Sequence, residues 1–457
     1  MGYTQNNKKK HLNRQVIVVT VNFYQKNNDG FSMTVNLSFC KIVRSIADLY
    51  KDLFDDEGIC YNELCSFISI PLYGLISLSE LVRAVPGAPS VSSLSDAVNK
   101  FNGNRFMKRL RRSILRKYKG ELNLEDFCIA IDDTDNIKYG TKLHRVGKWK
   151  SSKGIYFGQR VVVMALVDIK SGYAIPLDYR FAIKDTEPDY KSGLDLAVEM
   201  LEELVKLNFP RLTVVYDSWF DSVDLMRTVD KMGFTFVVEL KCSRNAHSGK
   251  HAQWKNIKSI FTGLLKMCVQ AKLNPKNARD NNKKKWFSQI TLYVTNSEIL
   301  LNAISMYNRK NSLSTFAIYA TNDLTMSGAK LWKFSRARWK IECLFRDLKQ
   351  NLSWGKLGCS GEEGADLAVC IPFIVYTFLT INFKGKRKMN SQDSIGTIVD
   401  KIRDRQMGKT INSLVIGKGL EKKKLKLLRA RTQQSRVNKK PINKFAEKYS
   451  SSEKKAA

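Results

Sequence analysis

The chain has 457 residues, 43% of them hydrophobic, which is enough for a sizeable core in two or three domains. Lysine and arginine number 77 against 43 aspartates and glutamates, a formal charge of +34. That excludes an ordinary near-neutral enzyme and calls for a polyanionic partner, nucleic acid before a membrane surface.

The cysteines are nine, scattered, and include no Cys-x-x-Cys, so no disulfide framework is expected and a reducing compartment is. The N-terminus, Met-Gly followed by polar and basic residues, shows no secretory signal. Asn6 stands where a myristoylation motif needs Ser or Thr.

Residues 16–23 and 31–40 are apolar and β-branched around Asn27-Asn28-Asp29-Gly30, which predicts a hairpin. Helix follows over 41–54, and Pro86-Gly87-Ala88-Pro89 breaks the chain. Ser93-Leu94-Ser95-Asp96 opens a further helical region. In its last turns Lys108, Arg109, Arg111, Arg112, Arg116 and Lys117 interleave with Leu110, Ile114 and Leu115. Against this net charge, the basic residues read as DNA contacts rather than a merely solvated face.

From Asp126 the pattern changes. Strands are predicted at 127–131, 156–169 and 174–183, the last two joined by a Ser171-Gly172 turn. A helix at 194–207, a strand at 212–216, a helix at 222–232 and a strand at 235–240 follow. Three antiparallel strands and then α/β alternation is the order of an RNase H-like mixed sheet flanked by helices, α/β (α+β overall) in class. Residues 241–325 interrupt it with strand-like segments at 288–295, 303–307 and 314–320 and a basic loop at 274–285. Within them, Cys242, His247 and His251 lack a fourth ligand for zinc and read as a polar loop.

The stretch 367–383 is uncharged and apolar but short, and it contains Pro372. A buried helix suits it better than a membrane anchor. From Lys384 onward 22 basic residues face 6 acids, net +16. The expected organisation is a mainly helical DNA-binding region (1–120), a core in two parts (121–240 and 326–383), a β-rich insertion between them (241–325), and a basic segment for DNA contact or dimerisation (384–457).

Three acids stand out against this frame. Asp132-Asp133-Thr134 follows the strand at 127–131, and Asp217 follows the strand at 212–216. These strands are neighbours in an RNase H-like order. Acids at the ends of buried strands are costly unless a cation offsets them. The third is Glu342, on a helix anchored by Ile341, Leu344, Phe345 and Leu348. Arg338, Glu342 and Lys349 project within roughly 40° of one another there. Taken singly, an Asp after a strand is ordinarily a turn or cap residue and a helical Glu an ion-pair partner. Taken together, three carboxylates suit two hard divalent ions roughly 3.5–4 Å apart, the arrangement of phosphoryl transfer.

The order Asp-Asp-Thr, Tyr-Asp-Ser-Trp-Phe and Arg-x3-Glu-x6-Lys resembles the DDE transposases of bacterial insertion sequences. It is similar to the branch with a Tyr-x2-Arg-x3-Glu-x6-Lys signature and a β-rich insertion, and the resemblance covers roughly residues 125–360. It implies catalytic acids that ligate two Mg²⁺ or Mn²⁺ ions per site: Asp217, Glu342 and the Asp directly before Thr, that is Asp133 rather than Asp132. It implies phosphate contacts from Arg338, Lys349 and Arg346, with Asp132, Thr134 and Ser335 in support. Ser335 stands where the signature has Tyr. Trp286 is the candidate for an insertion aromatic that holds a flipped base. The resemblance further implies cut-and-paste DNA transposition, with terminal inverted repeats and target DNA as partners. A homodimer in the synaptic complex, a place in the cytoplasm at the nucleoid, and no membrane complete the expectation. Two alternatives stay open: another RNase H-fold metal-dependent nuclease, and a non-catalytic DNA-binding protein derived from a transposase.

Overall fold

The structure is a computed structural model. It describes residues 24–25, 33–34, 39–85, 87–118, 121–123, 125–138, 143–151, 154–249, 253–265, 268–270, 286–295, 299–307, 317–384 and 394–416. Strands β1 (Tyr24–Gln25) and β2 (Met33–Thr34) pair antiparallel, as a hairpin requires, while residues 27–30 lie outside the described residues. The predicted strand at 16–23 and the basic loop at 274–285 lie outside the described residues.

Five helices follow: α1 (Lys41–Asp55), α2 (Tyr61–Tyr73), α3 (Leu78–Ala84), α4 (Val91–Val98) and α5 (Gly103–Lys117). They pack onto the core rather than standing apart from it. The hinge of that contact is Asp366, whose carboxylate accepts from the Gly103 amide at 3.1 Å and from the Tyr179 hydroxyl. A Cβ on Gly103 would fall 2.3 Å from that carboxylate, so the helix start approaches it as closely as only glycine allows.

The core comprises β3 (Phe127–Ile137), β4 (Gly147–Ser151), β5 (Gly154–Asp168), β6 (Tyr173–Phe181), α6 (Gly193–Lys206), β7 (Thr213–Tyr216), α7 (Val223–Lys231) and β8 (Phe236–Leu240). Its strands lie in the order β6-β5-β3-β7-β8. β6 and β5, and β5 and β3, pair antiparallel, and β7 and β8 run parallel to β3. This is the RNase H-like arrangement. β7 is four buried residues, Thr-Val-Val-Tyr, as a central parallel strand covered on both faces must be. One expectation is corrected: Asp132 and Asp133 lie inside β3, not after it. β5 is long enough to pair with β3 from Phe127↔Asp168 to Ile137↔Gly158.

The insertion adds β9 (Asn245–His247), β10 (Lys255–Asn256), α8 (Ile257–Gly263), β11 (Val269–Gln270), β12 (Trp286–Val294), β13 (Leu301–Tyr307) and β14 (Ala317–Thr321). It continues the same sheet, because β14 pairs antiparallel with β8 and β13, β12 and β9 follow outward.

Helix α9 (Gly328–Asn351) crosses the sheet. Ser327 caps it by accepting from the Lys330 amide. Leu331, Phe334, Ile341, Leu344 and Leu348 are fully buried at helical spacing, each worth about 1.5–3 kcal/mol of burial, and so fix where Glu342 sits. Behind it, α10 (Gly361–Leu379) is apolar and long enough to cross a membrane, yet 94% of its apolar window is buried inside the fold. α11 (Ile395–Ile416) packs on α9 and α2.

Candidate active site

The register of the parallel strands sets the site. Ala130 pairs with Val215, and two residues further on the same register brings Asp132 level with Asp217. Asp217 directly follows β7 as the cap of a short 3-10 turn (Ser218–Phe220), its Oδ1 accepting from the Trp219 amide at 2.9 Å. Side chains alternate along a strand, so Asp132 and Thr134 face one way and Asp133 and Asp135 the other.

The first pair faces α9. Arg338 Nη1 donates to Asp132 Oδ2 at 3.2 Å, and Nη2 lies 2.9 Å from Glu342 Oε1. One guanidinium thus bridges two acids, on β3 and on α9. Two turns further along α9, Lys349 Nζ donates to Thr134 Oγ1 at 2.6 Å and to the Asp135 carbonyl. Asp132 is only 7% exposed, and burial pushes its carboxyl up to about 8. The neighbouring Asp217 adds to the rise, and Arg338 opposes it without cancelling it.

The second pair faces away from α9. Arg160 Nε lies 3.3 Å from Asp133 Oδ2 and 3.6 Å from Asp135 Oδ1. Tyr156 donates to Asp135, and Arg160 also donates to the Lys150 carbonyl at 2.7 Å. Burial raises the Asp133 carboxyl to about 6, against the pull of Arg160. The expected acid, Asp133, therefore does not share the face of Arg338 and Glu342. Of the two adjacent acids, Asp132 is the one turned to Arg338 and Glu342, because a one-residue step along a strand reverses the face.

Other expected residues scatter. Ser335 Oγ is spent on its own helix, donating to the Trp332 carbonyl at 2.9 Å, and Arg346 is exposed. Trp286 opens β12, five strands from β3, or roughly 24 Å at about 4.8 Å per strand. It is not brought to the acids. Among the basic residues of α5, Arg111 is corrected outright: it is 2% exposed and paired with buried Asp178 at 2.5 Å, so it cannot meet DNA. Arg109 is tied to Asp56 at 3.0 Å and Glu57 at 3.4 Å, while Lys108, Arg112, Arg116 and Lys117 remain exposed.

One acid escaped the sequence reading. Glu239 on β8 has a raised carboxyl, through burial first, with Asp217 adding and Arg338 opposing. A glutamate inside the apolar run Phe-Val-Val-Glu-Leu was the visible signal.

The donor set is carboxylate oxygen without His or Cys, which suits Mg²⁺ or Mn²⁺. Burial and the neighbouring Asp217 hold the Asp132 carboxyl well above its ordinary range even beside Arg338. Among the described residues no three acids are gathered tightly enough to share one ion as they stand, and Arg338 lies between two of them.

Residues 127–378, more than half of the chain, match the family described as the transposase DDE domain. Among solved structures the chain is similar to the piggyBac transposase in a synaptic complex with hairpin DNA, at 10% identity over 89% of this chain and 85% of that one, TM-score 0.38. It is also similar to the NurA nuclease from Sulfolobus solfataricus, at 10% identity over 51% of this chain and 82% of that one, TM-score 0.24. Likenesses this distant say nothing about individual residues. Among curated proteins no match is found. With the RNase H-like sheet and the paired strand acids beneath it, the family match is conclusive: the chain belongs to the DDE transposase family.

Proposed function

We propose that this transposase cleaves phosphodiesters at the terminal repeats of an insertion sequence and joins the freed 3′-hydroxyls to target DNA, with Asp132, Asp217 and Glu342 holding two Mg²⁺ or Mn²⁺ ions. The observation that carries the reading is the Arg338 guanidinium bridging Asp132 and Glu342, with Asp217 level with Asp132 on the next strand. Bound there, divalent ions would activate water and offset charge on the attacking and leaving oxygens. The chain's own residues do the positioning. Arg338 turns from the carboxylates to a phosphate oxygen as DNA arrives, which opens the space between Asp132 and Glu342. Lys349, steadied by Thr134, keeps the end of α9 in register with β3 and lends its charge to the phosphate. Lys108, Arg112, Arg116 and Lys117 grip flanking duplex, so affinity falls steeply with salt. A homodimer that synapses two ends, acting on the nucleoid in the cytoplasm, completes the proposal.

A cleavage and strand-transfer assay on end-bearing DNA with Mg²⁺ or Mn²⁺, with Asp217→Ala alongside, tests it. Nicking followed by joining, lost in Asp217→Ala, is the expected result. Binding of ends without any nick would make the protein a DNA-binding relic. Nicking without joining would make it a nuclease of the same fold.

A further inference from the structure

Glu239 is out of place in β8. The strand reads Phe-Val-Val-Glu-Leu, and every residue but Glu239 is buried. An apolar side chain would suit a strand covered by α9 on one face. Instead the position holds a half-buried carboxylate, and among the described residues nothing donates a hydrogen bond to it. Such a group is costly to keep unless a cation offsets it.

Its place in the sheet is specific. β8 runs parallel to β7 with Tyr216↔Val238, so the next residues, Asp217 and Glu239, stand level. Asp217 in turn stands level with Asp132 on β3. Three acids therefore form a row across three adjacent strands, about 4.8 Å apart at each step. On the other side, Glu239 sits opposite Tyr319 of β14. Residues that stand level on neighbouring strands share a face of the sheet, so Glu239 and Asp217 lie on the face where Asp132 meets Arg338. The acid pairs Asp132–Asp217 and Asp217–Glu239 are equivalent by register, and Asp217 is common to both.

We propose that Glu239 is a fourth acid of the cation site, sharing with Asp217 one of the two divalent ions while Asp132 shares the other. The inference rests on the metal-binding reading above. It assigns to this chain a ligand beyond the three carboxylates that the motifs single out. Tyr319 walls the outer side of that position, and Arg338 screens the row from α9 until DNA draws it away.

The test counts ions rather than turnover. Mn²⁺ binding to the full chain is titrated by the electron-spin resonance of free Mn²⁺, with and without a saturating double-stranded oligonucleotide. Wild type, Glu239→Gln, Glu239→Asp and Asp132→Asn are compared, with thermal melts to show that each folds. Two ions are expected on wild type. Glu239→Gln should weaken one of them by about 10- to 100-fold and leave the other, and Glu239→Asp should restore much of the loss. Two wild-type-affinity ions on Glu239→Gln would overturn the assignment of Glu239 while leaving the three-acid site intact. No Mn²⁺ on wild type in either condition, or the same binding on Asp132→Asn as on wild type, would instead overturn the underlying reading. Loss of both ions in a folded Glu239→Gln would also sink the proposal, since it would make Glu239 a support of the whole site and not the ligand of one ion.

Discussion

The two faces of β3 carry the same chemistry to different ends. On the face toward α9, Asp132 and Thr134 meet Arg338 and Lys349. On the far face, Asp133 and Asp135 meet Arg160, which lies 5.2 Å over the Trp149 ring. Asp133 has an arginine, its neighbour Asp135 has a tyrosine, and the group is closed by local partners. Asp132 has an arginine that it shares with Glu342 and a second acid beside it, and its carboxyl rests at about 8 against about 6 for Asp133. In the proposed reading, the face that would hold cations is set apart not by the presence of acids but by acids whose charge is left incompletely offset.

The sharpest way to break this comparison is to neutralise each acid in turn. Asp132→Asn should cut metal-dependent DNA cleavage by about 10³-fold or more, several kcal/mol of transition-state stabilisation. Asp133→Asn should stay within about tenfold of wild type. Single-turnover cleavage at matched folded fractions decides it, and the reverse ranking would restore Asp133 as the working acid.

Helix α5 repeats the contrast between sides in a larger free energy of folding. Arg111→Ala leaves Asp178, itself fully buried, without its closest cation, and should cost about 3–5 kcal/mol in denaturant unfolding. Arg180, 2.8 Å from the other oxygen of Asp178, holds the loss toward the lower end. Arg112→Ala, one residue on and exposed, should change stability by no more than about 0.5 kcal/mol. It should instead make the salt dependence of DNA binding shallower by about one unit of slope. If Arg111→Ala lowers DNA affinity of the folded protein while leaving stability alone, the assignment of the two sides is wrong.

These cases show what could be read in advance. The order of strands and helices was legible because apolar runs and turn residues mark each element, and the strand ending at Tyr216 located Asp217 unambiguously. The choice within Asp132-Asp133 was not, since both acids satisfy the same local pattern and only the register with β7 tells their faces apart. Arg111 looked like its neighbours for a related reason. Its partner Asp178 lies on β6, distant in sequence, and nothing around Arg111 announces it. Glu239 was visible as an odd letter in a strand, but its meaning depended on two registers at once.

The pH dependence of stability offers a finer comparison. Asp132 ionises near 4 in the unfolded chain but only near 8 in the fold. Its contribution to stability is therefore full below about pH 4 and is lost as pH rises toward about 8. Asp133, raised to about 6, loses its contribution over a narrower window that ends near that pH. Without divalent ions, Asp132→Asn should flatten the stability profile up to about pH 8, by a few kcal/mol at most, while Asp133→Asn should act only below about pH 6. Added Mn²⁺ should stabilise wild type more at pH 8 than at pH 6, because binding favours the ionised acid. Indistinguishable profiles for the two variants would mean that both acids share one environment.

The smallest effect concerns how α9 is held. Lys349 reaches Thr134 Oγ1 and the Asp135 carbonyl, so it steadies the helix against β3, and the proposal adds a phosphate contact to that role. Thr134→Val keeps the shape and removes one acceptor, and should cost about 1 kcal/mol. Lys349 keeps the carbonyl, so cleavage should fall only a few-fold and DNA affinity should not fall. Lys349→Met should lose the same contact and the phosphate charge as well. Its excess loss of DNA affinity over Thr134→Val then measures the phosphate role together with the lost contact to the Asp135 carbonyl. Equal losses in the two variants would reduce Lys349 to a clamp between α9 and β3, and the cationic side of the site would rest on Arg338.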